Sequence, residues 1–128
     1  MGVEQTQSIE ATPPVNIYEG GGQLSAAVPL PGAHPDHVSV RLGPGRLEVI
    51  AECKYLQESQ RYLRRDWQVG SWRLDLALPR QVDPSAARAT LNLGVLVVMA
   101  PLSEAGGPVR SIAVSEVPAA APAGAAPA

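Results

Sequence analysis

The chain has 128 residues, of which 45% are hydrophobic and 17% charged, and its formal net charge is −2. This length gives room for one ordinary domain, and the 12 glycines and 13 prolines favour short elements with many turns over a helical bundle. The near balance of charge excludes phosphate binding by bulk electrostatics, the longest apolar run, at 95–101, is too short to span a bilayer, and residues 1–12 lack the pattern of a signal peptide.

Alternating apolar and polar residues, typical of half-buried strands, begin at residue 15 and recur along the chain. The predicted strands lie at 15–18, 23–30, 38–42, 47–52, 62–67, 72–78, 87–93 and 95–100. Between them, Gly20-Gly21-Gly22 permits a chain reversal, and Asp83-Pro84 predicts the start of one helical turn. The last strand is apolar on both faces, so it is either buried or carries an apolar outer face.

Seven or eight short strands with frequent turn signals predict an antiparallel β-sandwich over residues 14–102. Residues 1–13 are polar and aperiodic, which predicts a short flexible arm. Residues 103–128 predict a flexible extension, because Gly106-Gly107-Pro108 forms a linker and only Ala, Pro and Gly occur from residue 118 onward. A tail of that composition cannot bury enough surface to fold alone.

Three short motifs resemble the small heat-shock protein (α-crystallin) family. They are Leu30-Pro31-Gly32, the strand that opens with Gly70-Ser71-Trp72 and ends with Leu78-Pro79, and the run from Ala89 to Leu96. The resemblance implies an immunoglobulin-like antiparallel β-sandwich, the α-crystallin domain. It also implies an ATP-independent holdase chaperone that binds unfolded or partly folded client proteins, with no catalytic residues and no cofactor. The single cysteine, Cys53, cannot form an internal disulfide, which favours a cytoplasmic location.

Three departures from the family pattern bear on function. Leu93 replaces the usual turn Asn before Gly94, and Leu74 stands where many relatives carry Arg. The arm before the domain is also much shorter than usual. Because that arm helps to bind clients and build large assemblies in the family, we expect a homodimer or a small higher oligomer rather than a large shell.

A charged, aromatic excursion between residues 53 and 69 supplies the predicted dimer strand. By resemblance, family members of the non-animal type exchange such a strand, and we predict that it pairs with the partner's first strand near residues 15–18. Its basic and aromatic residues also suggest single-stranded nucleic acid binding, but a net charge of +2 over 54–67 makes a partner-pairing edge strand the better interpretation. The dimer strand comprises Tyr62, Leu63, Arg64, Arg65, Asp66 and Trp67.

The segment Ile112-Ala113-Val114 resembles the family's C-terminal I-x-I/V motif. Two aliphatic residues at i and i+2 project from one face of an extended chain, which indicates a plug for an apolar groove on a neighbouring dimer. The alternative is an ordinary last strand of the same domain. The predicted groove, which we also expect to bind clients together with the arm around Ile9 and Val15, is lined by Val38, Val40, Leu42, Ala89 and Leu91.

Other chemistry-bearing residues are sparse. His34, Asp36 and His37 could ligate a metal, but a solvated loop is the simpler interpretation, and the sequence predicts no metal site. Nucleophilic use of Cys53 needs an adjacent base and an orienting group; the sequence shows no such set, so this cysteine is interpreted as structural or incidental. A co-chaperone-type β-sandwich that recruits one folded partner, and a small-ligand or hydrolytic sandwich built on the histidine loop, remain alternatives.

Overall fold

The computed structural model describes residues 11–52, 60–67 and 70–116 of the chain. These residues form nine strands and two single-turn 3-10 helices, at Pro35–His37 and Pro84–Ala86. The strands are β1 (Asn16–Gly20), β2 (Gln23–Pro29), β3 (Val38–Gly43), β4 (Arg46–Glu52), β5 (Ser71–Ala77), β6 (Arg88–Asn92), β7 (Val95–Pro101), β8 (Arg110–Ile112) and β9 (Val114–Glu116).

Two sheets stack to form a β-sandwich, as predicted. One has the strand order β1-β2-β7-β6-β9 and the other the order β5-β4-β3-β8. Every ladder is antiparallel except the one between β6 and β9, which is parallel. The two short strands β8 and β9 come from the same C-terminal segment, so that segment contributes one strand to each sheet.

Alternation places the core between the sheets, because successive side chains of a strand point to opposite faces. On β2 the inward residues are Leu24, Ala26 and Val28, and all three are buried. Leu47 on β4 and Leu96 on β7 are completely buried. The outward side chains of β7 are half-buried and apolar, so of the two alternatives that the sequence left open for this strand, the structure shows the apolar outer face.

The glycine run between the first two strands forms the predicted reversal. Gly20 pairs with Gln23 at the end of the β1–β2 ladder. Gly21 and Gly22, the two residues between them, have φ angles of 62° and 80°. A two-residue hairpin loop with both φ angles positive is the turn whose twist matches its strands, and glycine adopts it without steric cost. Pro29 ends β2, the position at which a strand tolerates proline.

The terminal segments differ from their predictions. The backbone of Ala11, assigned to the flexible arm, donates to Ser71 O at 3.0 Å and accepts from Arg73 N at 2.9 Å. Sheet pairing therefore begins before residue 14. At the other end, the extension is fixed on the sandwich at 110–116 because it pairs with both sheets.

The predicted helical turn is present at Pro84–Ala86, where Asp83 is the N-cap. The hydroxyl of Ser85 donates to the Asp83 carboxylate at 2.7 Å and its backbone N–H donates at 2.9 Å. These two hydrogen bonds, and to a smaller extent the charge of Arg110, hold the pKa of Asp83 below its ordinary value of 3.8.

We therefore expect Asp83→Ala to lower the stability of the protein at neutral pH. A carboxylate whose pKa is depressed by folding stabilises the protein above its ordinary pKa, and this contribution is lost as the pH falls through the lower folded value. Urea titrations from pH 7 to pH 2 should show the difference from wild type shrinking once the pH falls below 3.8. Asp83→Asn, which keeps an acceptor oxygen without the charge, is the matched control. A constant difference at all pH values would contradict this role of the charge.

Candidate functional site

The feature best suited to a function is the open side of the sandwich, where β3 and β6 would be the outermost strands of their sheets without the C-terminal segment. We call the gap between the edges of β3 and β6 the tail groove, and residues 109–116 the tail. An uncovered strand edge presents unpaired backbone N–H and C=O groups that can pair with another extended chain. The tail groove therefore offers two such edges side by side.

The tail fills this groove in its own chain. β8 runs antiparallel to β3, with Ile112 opposite Val40. β9 runs parallel to β6, with Val114 opposite Ala89. Because directly opposed residues share a face of a sheet, both aliphatic side chains of the tail point inward, where they are half-buried and packed against the core. Ala113, between them, is exposed where the tail passes from one sheet to the other.

The predicted groove residues do lie together beneath the tail, although they belong to the core rather than to an open surface. Val40 is 1% exposed and Leu91 4% exposed, and Leu42 and Ala89 are equally buried. Val38, at the start of β3, is half-buried. A glutamate at position 40 or 91 would therefore place an unpaired charge in the core, so it would test folding and not client binding.

The strand pairing of the tail distinguishes in part between the two interpretations of the tail motif. Within this chain the tail is a last pair of strands on its own domain, as the alternative interpretation states. Insertion of Ile112 and Val114 into the groove of a neighbouring dimer remains a prediction.

One residue of the tail escaped the sequence analysis. Val109 lies beside Gly43, and a Cβ built on Gly43 would come within 3.2 Å of Val109 Cγ2. The absence of a side chain at the end of β3 thus leaves room for the start of the tail. The available signal was an apolar residue three positions before Ile112, directly after the Gly-Gly-Pro linker.

β1, the predicted pairing partner of the dimer strand, lies at the opposite edge of its sheet from β9. β1 is the outermost strand of its sheet, and Tyr18 on this strand is exposed. Residues 62–67 are all exposed and form no strand within this chain, which differs from the predicted strand because a strand at an edge needs a partner to pair with. The guanidinium of Arg65 lies 4.7 Å from the centre of the Tyr62 ring, and Arg64 forms an ion pair with Asp66.

The remaining candidate residues do not assemble a reactive centre. His34 is exposed, and its Nδ1 accepts a hydrogen bond from the backbone N–H of Asp36 at 3.2 Å. The described part of the chain holds no group of three or more metal-ligating side chains. Cys53 and Ile9 lie outside the described residues, and Val15 packs against the core.

No helix in the described ranges is long and apolar enough to cross a membrane.

The two outer faces of the sandwich differ in charge. On the sheet that contains β3, β4 and β5, Glu48 forms ion pairs with Arg41 at 3.6 Å and with Arg73 at 2.9 Å. Arg46 and Asp75 form a third pair on this sheet at 2.8 Å. The sheet that contains β7 presents its half-buried apolar residues instead. Pairs of this kind at the surface contribute little stability, but they make one face strongly polar.

Comparison with known proteins identifies this architecture. A profile of the Hsp20/alpha crystallin family matches residues 16–115. Heat shock protein 16 of Schizosaccharomyces pombe is 29% identical over 111 residues, which are 82% of this chain and 76% of that protein.

Comparison with solved structures indicates the same family. The hspA structure from Xanthomonas axonopodis matches with a TM-score of 0.66 and 27% identity over 73% of this chain and 96% of that chain. A small heat-shock protein from Xylella fastidiosa matches with a TM-score of 0.65 and 30% identity over 80% of this chain and 95% of that chain. The extent of the profile match and the shared fold lead to one conclusion: the chain belongs to the Hsp20/alpha crystallin family of small heat-shock chaperones, which are not enzymes.

Proposed function

We propose that this protein is an ATP-independent holdase that binds non-native proteins and suppresses their aggregation. The observation that carries the proposal is the tail groove, in which, within the described part of the chain, two strands of three residues each cover two strand edges and an apolar core. Membership of the small heat-shock family supports the same function.

The tail is suited to reversible displacement. Its two aliphatic anchors, Ile112 and Val114, are only half-buried, and every other residue of β8 and β9 is exposed. Ordering an extended segment costs about 1–2 kcal/mol per residue in backbone entropy, which offsets much of what two half-buried side chains contribute. A linker of seven residues, 102–108, joins the tail to β7, so a released tail stays at high local concentration.

A client segment would replace the tail by making the same kinds of interaction with the tail groove. An extended non-native chain can add a strand to the edge of β3, of β6, or of both, and main-chain hydrogen bonds give this mode affinity without a strict sequence requirement. Alternate apolar side chains of the client would take the inward positions of Ile112 and Val114. The tail and the client therefore compete for one site.

The unit that carries this groove is, in the proposal, a homodimer. Residues 62–67 of one protomer would pair with the free edge of β1 of the other, where Tyr18 is exposed. Exchange of tails between dimers would then build small higher oligomers. The solved relative from Xylella fastidiosa is described as having a distinct high order structure, which supports assembly beyond the dimer in this family.

An aggregation assay tests the proposed function directly. A heat-labile enzyme is warmed without nucleotide, alone, with this protein, or with an equal mass of an unrelated β-sandwich, and light scattering is followed. We expect this protein alone to suppress scattering, at a ratio near one protomer per client chain. Unchanged scattering together with saturable binding to a single folded protein would favour the co-chaperone-type alternative and overturn the holdase.

A further inference from the structure

The turn between β6 and β7 contains a residue that folding alone does not explain. Leu93 has a φ of 54° and Gly94 a φ of 80°, the two-residue hairpin geometry that glycine and asparagine adopt readily. Leucine in this left-handed region is a steric outlier. Its side chain is also 92% exposed, so it recovers no burial within the chain in return.

Leu93 lies beside apolar residues of the loop that packs against its turn. The backbone N–H of Leu30 donates to the carbonyl of Gly94 at 2.7 Å, which fixes the turn against the Leu30-Pro31-Gly32 loop. Pro31 and Pro29 are exposed beside it, and Val95 lies opposite Pro29 in the ladder. We call Pro29, Pro31, Leu93 and Val95 the Leu93 patch. Neither of the two stretches that build it, 23–33 and 89–103, includes a charged residue.

Backbone strain at a residue whose side chain is exposed points to a function, and an exposed apolar patch marks a binding surface. Charge complementarity limits the class of partner that the Leu93 patch can bind. None of the four residues of the Leu93 patch is charged, so they offer no counter-charge to a charged surface, unlike the ion-paired outer face of the other sheet. An uncharged apolar segment, of the kind that non-native chains expose, matches it.

We propose that Leu93 anchors apolar segments of non-native client proteins, at a second contact outside the tail groove. This inference rests on the proposed holdase function. A client chain held at both places would be bound more tightly than by either contact alone, because the second contact is intramolecular once the first has formed.

Three variants separate binding from stability. Leu93→Asn and Leu93→Gly relax the turn and remove the apolar side chain, whereas Leu93→Met keeps both the strain and the apolar contact. We expect the Asn and Gly variants to melt at a higher temperature than wild type, yet to need at least three times as much protein for half-maximal suppression of aggregation. The Met variant should behave like wild type in both assays. Because the two weaker chaperones are the more stable proteins, loss of fold cannot explain the result.

A photo-crosslinker at position 93 identifies the occupant. With benzoylphenylalanine at position 93 and a heat-unfolded enzyme present, we expect crosslinks to the enzyme. Crosslinks only to another copy of this chain, or only to residues 117–128, which follow β9 in the sequence, would overturn the proposal. Full suppression by the Asn and Gly variants would overturn it and leave the holdase intact, whereas a wild-type protein that suppresses nothing would overturn both.

Discussion

Deletion of residues 56–66 should convert the homodimer into a folded monomer. The deletion removes most of the proposed exchanged strand, and without it the free edge of β1 has no partner strand to pair with. The sandwich itself should persist, because Glu52 and Ser71 are opposed in the β4–β5 ladder and the seven residues left between them suffice for a hairpin connection. Light scattering coupled to size exclusion should report half the wild-type mass, and circular dichroism an unchanged β spectrum.

A second variant separates the strand from the length of the loop. Replacing 56–66 by a Gly/Ser segment of equal length keeps the connection but removes the strand-forming side chains, and we expect this protein to be monomeric as well. A deletion variant that remains a dimer at micromolar concentration would mean that the protomers associate through another surface.

Substituting Asp for both Ile112 and Val114 should release the tail and increase chaperone activity. Carboxylates are costly to place at the two inward positions, where the side chains pack against the core. We expect amide exchange on β3 and β6 to accelerate at least tenfold, and suppression of aggregation to rise because the groove is free for clients. The global free energy of unfolding should fall by about 1–3 kcal/mol, since only half-buried contacts are lost.

The matched control places the same charges on the outward side of the same segment. Ser111 and Ser115 are exposed neighbours of the two anchors, so substituting Asp for both should leave exchange and suppression near wild type. If tails also exchange between dimers, the Ile112/Val114 variant will lose the larger species in solution. Unchanged exchange on β3 and β6 would show that the tail does not cover the groove in solution.

The sequence was sufficient to predict the β-sandwich. It was not sufficient to predict which chain the segment at 62–67 and the tail pair with. Period-2 alternation located the seven strands from β1 to β7, because β2 to β7 each have one face in the core and β1 packs Ile17 against it. The strand at 62–67 was predicted from composition, yet no such strand forms in one chain, since strand pairing depends on a partner that local sequence does not describe.

For the tail, too, local sequence does not describe the pairing partner. Ile112 and Val114 were identifiable as anchors because they alternate with polar residues. Whether they occupy the groove of their own chain depends on whether the linker after β7 spans the distance to that groove. That distance follows from the folded structure and not from local sequence. The buried state of Val40 and Leu91 was equally ambiguous, because alternation marks the inward face but does not distinguish an open groove from a closed core.

The strand directions in the tail groove have a consequence for what can bind there. The tail runs antiparallel to β3 and parallel to β6, so β3 and β6 themselves run in opposite directions. A segment laid in the groove the other way round would be parallel to β3 and antiparallel to β6, and would still make one ladder of each kind. An apolar-x-apolar triplet also reads the same from both ends. Under the proposed function, the groove thus has an approximate twofold character, because a client segment of either polarity forms one antiparallel and one parallel ladder with its two edges.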